Sequence, residues 1–454
     1  MPDTAARLLN IKKEELPLAL CSALFFFCVL CGYFFLRPVR DAMGVSRGMD
    51  DLRRLFVGTS VVSLLIVLAF GGAVARMDRR RFIPVAYLFV ILCLFVFSGL
   101  LIADAVAGGG LIGTDAETPV ARYVGYVFFV WLSAVNLFVT SVFWAFMVDI
   151  FDVDQGKRMF AFIGIGGTLG ALIGGWATNV ISGLTESIFL PAGLMLTGSA
   201  FFGAAIVVML ALDRRAVASD HSRLTASAPG VPADEGGDPS CGQIGGTFWE
   251  GTKAVATSPY LLGIGGFIVL MAISNTLIYF TQANVILENT DTFSERVAGF
   301  AQFDMLAQIA TLITQIFVTT QVIKRLGVGW TLAILPLVTM AGFATLAIWP
   351  VYGVLAIFQA IHRATRYAVS RPARETLFSV VSPSEKYKAK PVVDVFVYRG
   401  GDVAGAGVDG LFAALGMTLT AVAVATVPVA GVWAMLCVGL GRAQQRRVDQ
   451  DEAG

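Results

Sequence analysis

The chain has 454 residues, 56% of them hydrophobic and 14% charged, with a formal net charge of +1. Soluble domains carry about 45–50% apolar and about 25% charged residues, so this composition excludes an ordinary water-soluble fold. With a net charge this close to zero, nothing global points to nucleic acid or to an acidic partner.

In chain order, Lys12 and Lys13 precede a mostly apolar run from Leu16 to Leu36 that ends in Arg37-Pro38-Val39-Arg40. No small-residue cleavage site follows, so the run is expected to be a retained first helix rather than a signal peptide. A membrane span needs about 20 mostly apolar residues. Twelve runs qualify: 16–39, 55–75, 82–104, 122–148, 160–181, 189–212, 259–282, 298–321, 330–349, 351–370, 391–415 and 418–440. An even number of spans puts both termini on one side. Basic residues cluster in alternate connections, at Arg76 to Arg81, Lys157-Arg158, Arg214-Arg215, Lys324-Arg325, Lys386 to Lys390 and Arg442 to Arg447. By the positive-inside rule these connections and both termini are cytoplasmic. The first outer connection breaks the rule with Arg37, Arg40, Arg47, Arg53 and Arg54, which suggests that some of these arginines serve a site rather than topology.

Residues 213–258 contain a polar stretch rich in Ser, Ala, Asp, Gly and Pro. They read as a cytoplasmic linker, with a short helix beginning near Phe248, Trp249 and Lys253. They divide the chain into an N-terminal six-helix bundle, 1–212, and a C-terminal bundle with a tail, 259–454. The halves look alike: a basic loop precedes Gly166-Gly167-Thr168-Leu169-Gly170 in one and Gly400-Gly401-Asp402-Val403-Ala404-Gly405 in the other. Such self-similarity marks a major-facilitator-like architecture with substrate bound at mid-membrane.

Gly166, Gly170 and Gly174, and again Gly401 and Gly405, are spaced by four, so they share a helix face where a second helix can approach closely. A nucleotide-binding glycine loop would need a preceding strand and a Gly-Lys-Ser/Thr ending, and neither is present. Gly71 to Arg81 resembles the signature that joins helices two and three in major-facilitator proteins. Cys28-x-x-Cys31 lies inside an apolar helix, where small-residue packing is the expected role. His221 and His362 are too far apart for a histidine metal centre, so no metal or other cofactor is expected. No Ser-His-Asp set, Gly-x-Ser-x-Gly elbow or Cys-His pair occurs, so the chain is not expected to be an enzyme.

A charge at the bilayer centre costs about 2.5–3.5 kcal/mol on insertion scales, so ionisable residues in spans face a partner or an aqueous cavity. Here they are Arg37, Arg40, Asp41, Asp149, Asp304, Arg363, Arg366, Asp394, Arg399, Asp402 and Asp409. Arg399 and Asp402 are three apart and can pair on one face. Gln359, Arg363, Arg366 and Ser370 form a polar stripe along the tenth span.

Several stretches resemble the ATP/ADP translocase (nucleotide transporter) family. They are Leu36-Arg37-Pro38-Val39-Arg40-Asp41 in the first helix, Val142-Phe143-Trp144-Ala145-Phe146 ending the fourth and the following Gly156-Lys157-Arg158. Arg366-Tyr367, Ala373-Arg374-Glu375, and Lys386 to Lys390 with Asp394 continue the likeness in order. The likeness departs at Leu132, where the family's helix-four glutamate falls, and at Asp402, where its helix-eleven lysine falls. The chain therefore resembles a free-living bacterial relative whose substrate differs from that of the exchangers.

The resulting expectation is an all-α polytopic protein of about twelve transmembrane helices in two six-helix bundles, multi-pass in the bacterial cytoplasmic (inner) membrane and monomeric. The resemblance implies a secondary transporter working by alternating access on an anionic, nucleotide-like metabolite. A proton-coupled transporter of another small organic solute and a non-transporting scaffold or sensor are the alternatives. The expected substrate residues are Arg37, Arg40, Asp41, Asn136, Trp144, Arg363, Arg366, Tyr398 and Arg399. Asp304, Asp394 and Asp402 are expected to couple transport or pair with the arginines.

Overall fold

A computed structural model of the chain describes residues 15–74, 79–114, 118–151, 153–226, 248–317, 319–382, 385 and 389–453. They are helical almost throughout, and no strand occurs among them. In chain order the long helices are α1 (Leu16–Val45), α2 (Met49–Val74), α3 (Arg79–Val106), α4 (Pro119–Ile150), α5 (Val153–Leu184) and α6 (Leu190–Ala226). A short α7 (Phe248–Thr257) precedes α8 (Pro259–Glu288), α9 (Phe293–Phe317), α10 (Thr319–Ile348) and α11 (Tyr352–Ala364). A π-helical turn, Thr365–Ser370, joins α11 to α12 (Arg371–Leu377). A second π turn, Val392–Val397, leads into α13 (Tyr398–Ala414), and α14 (Leu419–Ala453) closes the chain.

Each expected span overlaps one of these helical stretches; the eighth, 298–321, runs past the end of α9 at Phe317 into the start of α10. Among the described residues, nine helices are long and apolar enough to cross a membrane. The stretches over 351–370 and 391–415 are interrupted by the π turns. Local chemistry sets several ends. Thr118 and Ser258 each accept a hydrogen bond from the backbone N–H three residues on, and a proline occupies the next position, so α4 and α8 start with the same side-chain cap. The first helix runs past its expected end at residue 39 to Val45 despite Pro38. Arg37 and Arg40 thus belong to a helix rather than to the first connection. Residues 227–247 of the linker and the basic stretches around Arg76–Asp78 and Lys386–Lys388 lie outside the described residues. The helix expected before the seventh span is present as α7.

The chain forms two compact units. The first comprises Met1–Ser46, Leu65–Pro239 and Thr290–Met305; the second comprises Arg47–Leu64, Ser240–Asn289 and Leu306–Gly454. In the first unit, α1 is the central helix and packs against α4, α5 and α6. Its core is aromatic: Phe26 stacks on Phe143 with centroids 4.2 Å apart, and Phe25 meets Tyr87, Phe143 and Phe146. The core of the second unit gathers Phe267, Ile268, Leu332, Leu377 and Trp433 from α8, α10, α12 and α14.

The spaced glycines are where backbones meet. A Cβ added at Gly166, Gly170 or Gly174 of α5 would run into the backbone of α1 at Ala23, Phe27 or Cys31. In the second unit, a Cβ on Gly401 or Gly405 of α13 would meet Ala272 or Thr276 of α8, at 2.6 and 2.8 Å. The glycine face therefore brings α5 onto α1 and α13 onto α8, so each half of the sequence uses the same contact.

Candidate substrate-binding site

In the first unit, α1 presents Tyr33, Arg37, Arg40 and Asp41 from one stretch of helix. The Arg37 guanidinium reaches Asp304 of α9 at 2.9 Å and Asp41 at 3.6 Å. Arg40 donates through Nε and Nη2 to Asp41 Oδ1, at 2.9 and 2.6 Å, a forked contact only the planar guanidinium makes. Its Nη1 donates to Tyr33 Oη at 3.4 Å and to Ser133 Oγ at 3.2 Å, and its charge lies 5.1 Å from the centre of the Phe129 ring. Asp41 and Asp304 are buried. The two cations and two carboxylates balance, so the cluster holds its charges without leaving a net one in an apolar surround.

Asn136 is half-buried one turn beyond Ser133 on α4. Trp144 sits further along α4, edge-on to Phe26, Phe143 and Phe160. The structure thus gathers Arg37, Arg40, Asp41 and Asp304, while Trp144 belongs to the aromatic core. Leu132, where the resemblance places a glutamate, is fully buried. Its neighbour Ser133 supplies the polar contact instead.

In the second unit the π turn after α11 carries Arg366, which donates to Tyr398 Oη at 2.7 Å. The guanidinium lies 5.2 Å from the Tyr367 ring centre and 5.7 Å from that of Tyr398. Tyr398 Oη also accepts from Asn275 of α8 at 3.4 Å. Next to Tyr398, Arg399 donates to Oδ2 of Asp402, one turn further along α13, at 3.0 Å, and Thr276 of α8 donates to Asp402 Oδ1 at 3.4 Å. The expected Arg399–Asp402 pair is present, and Asp402 is buried. Arg363 is buried on α11. Asp394 lies apart, 3.4 Å from Arg374, which also touches Glu375. Just beyond the tenth span, burial raises the Glu375 carboxyl, but the Lys390 ammonium at 2.6 Å and then Arg374 outweigh it and hold the carboxyl below its usual range.

Arg53, one of the excess arginines of the first connection, sits in α2. It bridges Asp409 at 2.7 Å and Asp50 at 2.5 Å beside a recess of about 360 Å³ lined also by Phe280, Asn284 and Phe412. Sequence reasoning missed Tyr33, Ser133, Asn275 and Thr276. The available signal was the adjacent polar pair Asn275-Thr276 in the middle of an otherwise apolar span.

A family model described as TLC ATP/ADP transporter matches residues 112–352. The chain is 22% identical over 448 residues to ADP,ATP carrier protein 1 of Chlamydia trachomatis serovar D, covering 87% of this chain and 82% of that one. It is 21% identical to the chloroplastic ADP,ATP carrier protein 2 of Arabidopsis thaliana, covering 87% of this chain and 69% of the relative. Among solved structures it resembles a bacterial homologue of the iron transporter ferroportin in an inward-facing state. That match has a TM-score of 0.63 at 12% identity and covers 94% of this chain and 99% of that one. A mutant of the nucleoside transporter NupG matches with a TM-score of 0.59 at 14% identity, covering 95% and 99%. The fold is that of the major-facilitator-like transporters.

Proposed function

The chain belongs to the TLC ATP/ADP transporter family, and on that premise we propose that it is a secondary transporter of a small anionic, nucleotide-like metabolite, working by alternating access. One observation carries the reading. Arginines oriented by carboxylates and tyrosines lie in helical stretches of both halves of the sequence: Arg37 and Arg40 on α1, which is long and apolar enough to cross a membrane, and Arg366 and Arg399 on the expected tenth and eleventh spans. Charges at such depth are costly and mark a substrate or ion path. A guanidinium fork suits phosphate or carboxylate.

In this proposal transport follows the alternating-access cycle of two-halved secondary transporters. The halves 1–212 and 259–454 each lend one segment, 47–64 or 290–305, to the other compact unit. Arg37, Arg40, Asn136, Arg363, Arg366, Tyr398 and Arg399 contact substrate, and Asp41 orients the first pair. Trp144 supports α1 from the aromatic core, and Asp394 steadies the basic end of the eleventh span. The protein acts without cofactor as a monomer in the bacterial inner membrane, with both termini and the 213–258 linker in the cytoplasm.

A second reading, proton-coupled transport of another organic solute, is favoured by Asp402. It is a buried carboxylate at the position where the resemblance places a lysine. Uptake into liposomes of labelled ATP, ADP, AMP, sugar phosphates and dicarboxylates, with and without a pH gradient, separates the two. The first reading expects saturable uptake of a phosphorylated solute, stimulated by the same solute trapped inside and lost in Arg37→Ala and Arg366→Ala. Stimulation by the pH gradient alone supports the second. Inserted protein that carries none of these anions refutes the first.

A further inference from the structure

Beside Arg366 the tenth span carries polar groups that no part of the ionic clusters uses. Gln359, His362 and Arg366 are spaced i, i+3, i+7 and so lie along one helix face. Gln359 is buried and donates through Nε2 to Gln282 Oε1 of α8 at 2.6 Å, while its own Oε1 has no hydrogen-bond partner. His362 is fully buried, and neither ring nitrogen has a partner. Its nearest ring neighbour is Phe358, tilted by 74° with centroids 6.0 Å apart. Buried polar atoms in native proteins are almost always paired, and each exception calls for a physical reason. A histidine that only filled space here would be better replaced by leucine.

We infer that Gln359 and His362 form a hydrogen-bonding subsite that reads the uncharged, heteroatom-rich head of an anionic substrate whose charge is held at Arg366. The inference rests on the anion-transport reading above. Arg366 is only half-buried and is oriented by the neutral Tyr398 hydroxyl; among the described residues no carboxylate lies within ion-pair distance of it. It is therefore the open end of the stripe, and His362 and Gln359 are the closed end. A neutral imidazole offers one donor and one acceptor, and the free Gln359 carbonyl offers another acceptor. The matching head carries both donors and acceptors, as an amide, a hydroxylated ring or a nitrogen heterocycle does. At about 1.5 Å of rise per residue, His362 lies about 6 Å and Gln359 about 10 Å along the axis from Arg366. The head therefore stands about 6–10 Å from the charge. Inorganic phosphate and methyl phosphate, which lack a head, bind at the arginines without reaching Gln359 or His362.

The test uses the full chain in liposomes, measuring binding of AMP, ribose 5-phosphate and methyl phosphate to wild type and to His362→Leu and His362→Gln. At least one head-bearing phosphate should bind wild type tenfold or more better than methyl phosphate. His362→Leu should erase that preference and leave methyl phosphate binding unchanged, and His362→Gln should restore part of it. The thermal midpoint of His362→Leu in detergent should equal or exceed that of wild type, because no imidazole is left without a partner. A lower midpoint would make His362 a structural residue and overturn the subsite. So would a wild type that prefers no head, or a leucine variant that keeps its preference; in both cases the anion reading stands. A wild type that binds none of the three phosphates sinks the subsite and the anion reading together.

Discussion

Replacing Gly170 with alanine adds one methyl group at the closest approach of α5 to α1. The new Cβ would lie 2.9 Å from Phe27 Cα and closer still to the Phe27 carbonyl oxygen. Ordinary carbon contacts are about 3.5–4.0 Å, so the two backbones must separate by roughly 1 Å along a face that Gly166 and Gly174 also hold tight. Overpacking of this kind costs about 1–3 kcal/mol. Alanine also gains about 1 kcal/mol over glycine in a helix interior, so the single variant alone would understate the strain. Gly164 on the same helix supplies the control, because a Cβ there meets nothing within 4 Å. Gly164→Ala should be neutral or stabilising, and the gap between the two alanine variants isolates the strain at about 1–3 kcal/mol. The assay is the thermal midpoint of detergent-solubilised protein, followed by monodispersity on size exclusion. Gly170→Leu should fail to give a monodisperse protein, whereas Leu169→Ala, on a more exposed position, should remain close to wild type. Equal midpoints for Gly170→Ala and Gly164→Ala would refute the close-packed face.

Three further outcomes are expected. Arg399→Ala and Asp402→Ala each leave the other member of the 3.0 Å pair uncompensated, a loss of about 3–5 kcal/mol when a buried pair is broken from one side; the double variant should recover thermal stability but not uptake, and recovered uptake would reduce the pair to a strut. Arg37→Lys keeps the charge but loses the fork that spans Asp304 and Asp41 at 2.9 and 3.6 Å, so uptake should fall sharply at unchanged membrane abundance, and wild-type uptake would count against Arg37. Glu375→Gln should lower the thermal midpoint slightly at neutral pH, since the native carboxyl titrates below its usual range. That contribution is present above the unfolded carboxylate pKa and vanishes as pH falls through the depressed native value, so a difference from wild type that persists in acid would contradict the pairing with Lys390.

The spans were legible because lipid imposes a run length on the sequence, and the glycine faces because spacing by four survives as spacing on a helix. The Arg399–Asp402 pair was legible for the same reason: both partners lie within one turn of one helix. The Arg37–Asp304 contact was not, because the two residues are distant in sequence and periodicity carries no information about which helix faces which. Nor was the continuation of α1 beyond residue 39 to Val45. A proline usually ends a helix by removing a donor, but here Arg40 beyond it is held to α4 through Ser133. Ser133 was invisible as a site residue, and the Asn275-Thr276 pair was a signal only by its place in an apolar span, because small polar side chains in a span are common and usually bond to their own helix, as Ser133 also does to Phe129. Their role is set by the arginine or acid opposite them.

The π turns at Thr365–Ser370 and Val392–Val397 bear on how this chain diverges from its relatives. A π turn accommodates one residue more than the α-helical turn it replaces. Losing a single residue from Thr365–Ser370 need not break the helix; it would close the turn into ordinary α geometry. Because the wide turn already absorbs the extra residue, the helix faces on either side would keep their orientation, and only the side chains within the turn would change register. A one-residue change in length at this point would carry Arg366 away from Tyr398 and present a different side chain in its place, without any substitution at the site itself. Length variation in these two turns is thus a route by which descendants of one transporter can acquire different cargo while every helix stays in place.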